Sequence, residues 1–146
     1  MKKSSIGSTF WTERIGPAAA LKTLEVMKRE KSWEQITQTG ATICKGWQSL
    51  ADTYGLEIEQ WGIPALAGFT FKSPNVLAYK TLITQEMLKK GYRAGNCVYS
   101  CIEHKTALLE KFFDDLGSVF LLVKQCEEGC DIKTLLHGPI CYSAFR

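Results

Sequence analysis

LEIEQWGIPALAGFTF, residues 56 to 71, changes period in the middle of a chain whose patterning is otherwise helical. LEIEQW alternates apolar and polar side chains, as a strand with one buried face requires. Gly62, Ile63 and Pro64 carry turn chemistry, and ALAGFTF has the aromatic and small residues of a second strand. Two strands this close in sequence pair antiparallel. Upstream, Gly55 is the expected left-handed stop of a helix whose buried face is Trp33, Ile36, Gly40, Ile43, Trp47, Leu50 and Tyr54. Ser32 with Gln35 gives that helix a capping-box start. An earlier helix opens near Pro17, which suits a first turn, and runs to about Lys31 with Ala20, Leu21, Leu24 and Met27 at helical spacing.

Downstream, Ser73 and Pro74 open a helix through Val76, Leu77, Tyr79, Ile83 and Met87. Lys89, Lys90 and Gly91 close it, with cations at the negative end of the helix dipole. CVYSCI, residues 97 to 102, is a third strand candidate. Helix returns at about Thr106, burying Leu109, Phe112, Phe113, Leu116, Phe120 and Val123. Asp131 caps a short turn over Ile132 to Leu136, before Gly138 and Pro139 break it. This order predicts an α+β fold, a small antiparallel sheet of about three strands covered on one face by helices.

The chain has 146 residues, within the range of one domain with a real core. A hydrophobic content of 45% and a charged content of 23% are ordinary for a soluble globular protein, and no apolar run approaches a membrane span. MKKSSIGSTF begins with the positive charge of a secretory signal, but no apolar core follows it before Thr12, Glu13 and Arg14. A cytoplasmic setting is therefore expected. The net charge of +3 is mild and the lysines are scattered, so no nucleic-acid footprint is expected.

Cys44, Cys97, Cys101, Cys126, Cys130 and Cys141 read as reduced thiols in such a compartment. Cys97 and Cys101 near His104, and Cys126 with Cys130, have C-x3-C spacing, and no second histidine cluster completes a zinc tetrahedron. No metal site is expected. Neither His104 nor His137 has a nucleophile in an activating motif beside it, so His104 reads as a hydrogen-bonded structural residue. Glu57 and Glu59 share a strand face and read as solvated. The opening loop, Gly7, Ser8 and Thr9, has two readings: ordinary loop composition, or backbone N–H groups and a hydroxyl arrayed for an anion.

The stretches SSIGSTFWTERIGPAAALKTLEVM, WGIPALAGFTF, NVLAYKTLITQEMLKKGY, VYSCIEH and CEEGCDIKTLLHGPICYSAF resemble the C-terminal third of class-III pyridoxal-phosphate (PLP) dependent aminotransferases. Among these, the chain is most similar to glutamate-1-semialdehyde aminomutase-like members. The resemblance runs from about Ser4 to the end. It implies the C-terminal small domain of a fold-type-I PLP transferase, divided as residues 1–16, a cofactor-phosphate loop and remnant of the large domain, 17–54, connecting helices, and 55–146, the small α+β domain. It implies further that Thr9, with Ser8 where glycine is common, grips the phosphate of a PLP bound mainly by the other subunit of a dimer. Phe10, Trp11, Glu13 and Arg14 would then shape the substrate entrance or pack at the subunit contact.

In such enzymes a lysine carries PLP as a Schiff base and an aspartate pairs with the pyridine nitrogen, both upstream of the clamp threonine. Lys2 and Lys3 match neither motif, so the resemblance implies no catalytic residue in this chain and no turnover by it alone. Arg93 and Gly95 depart from the small or apolar residues common before the third strand. The complete enzyme would move an amino group between an amino donor and an aldehyde or keto compound. Its partner would be the missing large domain, or a second copy in a homodimer. The alternative is a non-catalytic dimerisation or binding module kept from that domain. Either way, a small domain that packs on a large one is expected to show apolar surface on its first two helices, with Trp33 and Trp47 as its markers.

Overall fold

The computed structural model describes residues 13–142. They fall into two compact units that divide after Trp33. The first holds α1 (Ile15–Glu30), which starts on Arg14, whose carbonyl accepts from Ala18 N–H at 3.0 Å. Pro17 sits in the first turn, where an N–H has no helical partner to lose. Lys28 and Arg29 complement the dipole in the last turn, and Lys31 ends the helix in the left-handed region at φ 48°. By itself α1 buries nothing, and Leu21 and Leu24 are exposed along it.

α2 (Ser32–Tyr54) ends where the sequence predicts, with Gly55 at φ 65°. Its start differs from expectation. Ser32 is already helical, and its buried Oγ has no hydrogen-bond partner among the described residues, so the capping-box bond is not made.

The second unit is built on a three-stranded antiparallel sheet, β1 (Ile58–Ile63), β2 (Leu66–Phe71) and β3 (Cys97–Tyr99), in that spatial order. The hairpin turns at Pro64 and Ala65, one step later than expected, because Gly62 stays in the ladder opposite Ala67. Gly62 has φ 91°, and a Cβ there would strike the Leu66 carbonyl, so only glycine fits.

β3 is shorter than CVYSCI. Its partner β2 begins at Leu66, opposite Tyr99, which leaves Cys101 and Ile102 no strand to pair with. The chain turns away there, with His104 N–H donating to the Cys101 carbonyl at 3.1 Å.

α3 (Val76–Lys89), α4 (Thr106–Glu127) and the body of α2 cover one face of the sheet. Alternate β2 residues Ala67, Phe69 and Phe71 point into this layer. There Phe69 stacks at 4.9 Å from Trp47 of α2 and 5.8 Å from Phe120 of α4, while Phe71 meets Tyr79 of α3 edge-on at 5.6 Å. Of the predicted α4 face, Leu109, Leu116, Phe120 and Val123 are buried, and Phe112 and Phe113 are half-buried around its rim. A 3-10 turn, η1 (Ile132–Thr134), follows α4, shorter than expected but capped as predicted by Asp131, which accepts from Lys133 N–H at 3.0 Å.

Candidate functional site

Ser8 and Thr9, the expected phosphate grip, lie outside the described residues, as do Phe10 and Trp11. Glu13 and Arg14 are described and exposed. The two marker tryptophans part company: Trp33 is 50% exposed, whereas Trp47 is 2% exposed and belongs to the core. α2 therefore spends its apolar face on the sheet, and Trp47 does not report an open surface.

The expected apolar surface is present on α1, where Ile15, Leu21 and Leu24 are exposed, and more of it gathers on the far side of the sheet. Trp61 of β1 lies across Gly68 of β2, where a Cβ would meet the indole ring, and its Nε1–H donates to Thr70 Oγ1 at 3.3 Å. Ile63 pairs with Leu66, and Leu66 pairs in turn with Tyr99 of β3. Ile63 is 65% exposed and Tyr99 74%. An antiparallel sheet tolerates one solvated face when that face is polar. Here it carries aromatic and aliphatic side chains from all three strands. Periodicity alone hid this face, because LEIEQW places Glu57 and Glu59 in the same register and reads as polar outward; both glutamates are indeed exposed.

On the helical side a cavity of about 220 Å³ opens between α2, α4 and the chain entering β3, lined by Ile43, Trp47, Arg93, Val98, His104 and Phe112 among others. His104 Nδ1 accepts the Cys101 backbone N–H at 3.3 Å, closing the turn after β3. That bond occupies the lone pair a general base would use, in line with the structural role read from the sequence.

Beside the cavity, Tyr92 donates to Asp115 at 3.0 Å, and Lys90 and Lys111 reach the same carboxylate at 3.1 and 3.5 Å. The Lys90 ammonium, foremost, holds Asp115 below the usual carboxylate range, and Tyr92 together with Asp115 pushes the Lys111 amine up. Lys90 and Lys111 are thus both engaged as ion-pair partners of Asp115. Among the described residues no group of three potential metal ligands is found, and no helix is long and apolar enough to cross a membrane.

Three polar ties fix the framework. Tyr79 and Ser73 both donate to Glu127 Oε1, at 2.6 and 2.7 Å, pinning the start of α3 to the end of α4. Gln85 of α3 donates through Nε2 to the Leu135 carbonyl at 2.8 Å and accepts His137 N–H at Oε1 at 2.7 Å. Thr81 Oγ1 accepts Cys141 N–H at 2.9 Å, so residues 135–141 run strapped along α3.

The arrangement has a counterpart among solved structures. Over 92% of its length the chain superposes on the FumI protein of Sphingopyxis sp. MTA144, solved in its PLP internal aldimine form, with a TM-score of 0.74 and 17% identity. The fold is that of part of a PLP protein. The chain spans 33% of the length of FumI. No family model and no curated protein matches the sequence.

Proposed function

We propose that this chain serves as the small domain of a PLP-dependent class-III aminotransferase, of the glutamate-1-semialdehyde aminomutase-like kind. In this reading Ser8 and Thr9 hold the cofactor phosphate across a dimer, and the Schiff-base lysine belongs to a large domain. The superposition on a third of a PLP protein carries the proposal. The exposed sheet face around Trp61, Ile63 and Tyr99 supports it, since a domain that rests on another leaves such a surface when viewed alone. The complete enzyme would transfer or shift an amino group between an amino donor and an aldehyde or keto compound, and the free thiols suit a cytoplasmic setting.

A second reading, a non-catalytic dimerisation or binding module derived from that domain, draws on the same exposed face. Incubating the purified chain with PLP, reducing with borohydride and mapping peptides by mass tests the first reading. The expected result is no stoichiometric adduct at any single lysine. One fully reduced adduct at one position would overturn it, because the chain would then carry its own anchor. Sedimentation of the same sample bears on the second reading: a stable dimer with no adduct favours its dimerisation form, and a strict monomer sinks that form.

A further inference from the structure

C-x3-C occurs twice in this chain, and the fold treats the two copies differently. Cys97 lies in β3 and the chain stays extended through Ser100, whose N–H donates to the Ala65 carbonyl at 3.0 Å. Four residues of extended chain span roughly 13 Å. A disulfide needs Cα atoms within about 7 Å. That pair is held apart.

Cys126 and Cys130 sit at the end of α4. Gly129, at φ 113°, donates to the Cys126 carbonyl at 3.1 Å, and Cys130 N–H donates to the Gln125 carbonyl at 2.9 Å. These two bonds form a Schellman motif, which folds the chain back over the last helical turn. The fold-back returns Cys130 to the helical turn that carries Cys126, near enough for the one thiol to act on the other. Their environments differ: Cys126 is buried and Cys130 is exposed. Burial, with Cys130 next, pushes the Cys126 thiol up.

We propose that Cys126 and Cys130 form a reversible dithiol–disulfide site, with Cys130 as the attacking thiol, Cys126 as the resolving thiol, and a low-molecular-weight disulfide such as glutathione disulfide as oxidant. Cys130 loses its proton to solvent, and its thiolate attacks one sulfur of the oxidant. The other sulfur leaves as a thiolate and takes up a proton. Cys126 then gives up its proton and attacks Cys130 Sγ, expelling the bound half of the oxidant as a second thiol. Two protein thiols become one S–S bond while the oxidant's S–S bond becomes two thiols, with two electrons passing between them. The closed ring ties the root of η1 to α4 covalently.

The test equilibrates the full chain with glutathione disulfide, alkylates the remaining thiols under denaturing conditions and maps tryptic peptides. Residues 125–133 lie between Lys124 and Lys133 and carry both cysteines. The expected result is loss of two of the six thiols, with that peptide unlabelled and lighter by two hydrogens, and full recovery on reduction. Cys126→Ala should trap a stable glutathione adduct at Cys130. Should that variant fail to fold, the wild-type map decides alone. Three outcomes would overturn the proposal: a lasting glutathione adduct at Cys130 in the wild type with Cys126 still free, closure of Cys97 with Cys101 at the same or a lower oxidant ratio, or both thiols of residues 125–133 unreacted.

Discussion

Gly40 of α2 lies directly against the carbonyl group of Pro64 at the tip of the β1–β2 hairpin, and no Cβ fits between them. In an open helix, Gly→Ala would stabilise by roughly 0.5–1 kcal/mol. Here the obstacle is backbone, which cannot rotate away, and overpacking of this kind costs about 1–3 kcal/mol. The collision outweighs the propensity. Gly40→Ala is expected to lower the urea midpoint with an unchanged slope; a midpoint equal to or above wild type would mean that hairpin and helix are not held this tightly.

Burial foremost, and then the bond to Glu127, pushes the Tyr79 phenol above its ordinary value of 10.0. The folded chain keeps a proton that the unfolded chain loses. This contribution is therefore complete below about pH 10 and disappears as pH rises through the folded value. Tyr79→Phe should cost about 1 kcal/mol near neutrality for the lost hydrogen bond. It should also flatten the alkaline fall. Denaturation midpoints across the alkaline range check both, and parallel wild-type and variant profiles would clear the phenol of responsibility.

At the acid end the sign reverses. Asp115 is held below its ordinary value of 3.8, chiefly by the Lys90 ammonium. Its contribution is present above that value and is lost as pH falls through the lower, folded one. Asp115→Asn should make stability less sensitive to acid in that window, as thermal melts at decreasing pH would report.

Ile63 and Tyr99 on the open sheet face touch little that the fold needs, so Ile63→Thr with Tyr99→Thr should change stability by no more than about 0.5 kcal/mol each. Binding of a hydrophobic dye should fall sharply. Undiminished dye fluorescence in the double variant would locate the exposed apolar surface elsewhere.

Gln85→Ala should loosen residues 135–141 without unfolding the core. Limited proteolysis is expected to cut that segment several-fold faster than in wild type, while Gln85→Glu, which keeps the acceptor for His137 N–H but loses the donor to Leu135, should fall between. Equal cutting rates for all three would show that Thr81 and side-chain packing alone hold the strap.

The order of elements was legible because its signals are local: Gly55 and Gly91 stop helices, and the period shifts at residue 56. What escaped was set by partners far along the chain. β3 ends at Tyr99 because β2 starts at Leu66, a fact belonging to another strand. Trp33 and Trp47 share a helical stripe in sequence, yet Trp47 is buried against Phe69 while Trp33 is half exposed. The ties of Gln85, Tyr79 and Asp115 join residues more than twenty positions apart, beyond the reach of any periodicity. The open sheet face needed β3 in place before Tyr99 could be seen beside Leu66. Of the candidate site, the phosphate grip at Ser8 and Thr9 rests on resemblance, and it falls outside the described residues.

Because Gln85 and Thr81 bond to peptide groups of the strap, they read its path and leave its spelling free. Almost any residue at 137 can offer the N–H that Gln85 takes; proline, which has none, is the exception. His137 and its exposed neighbours can thus be rewritten by mutation without dislodging the tail from α3.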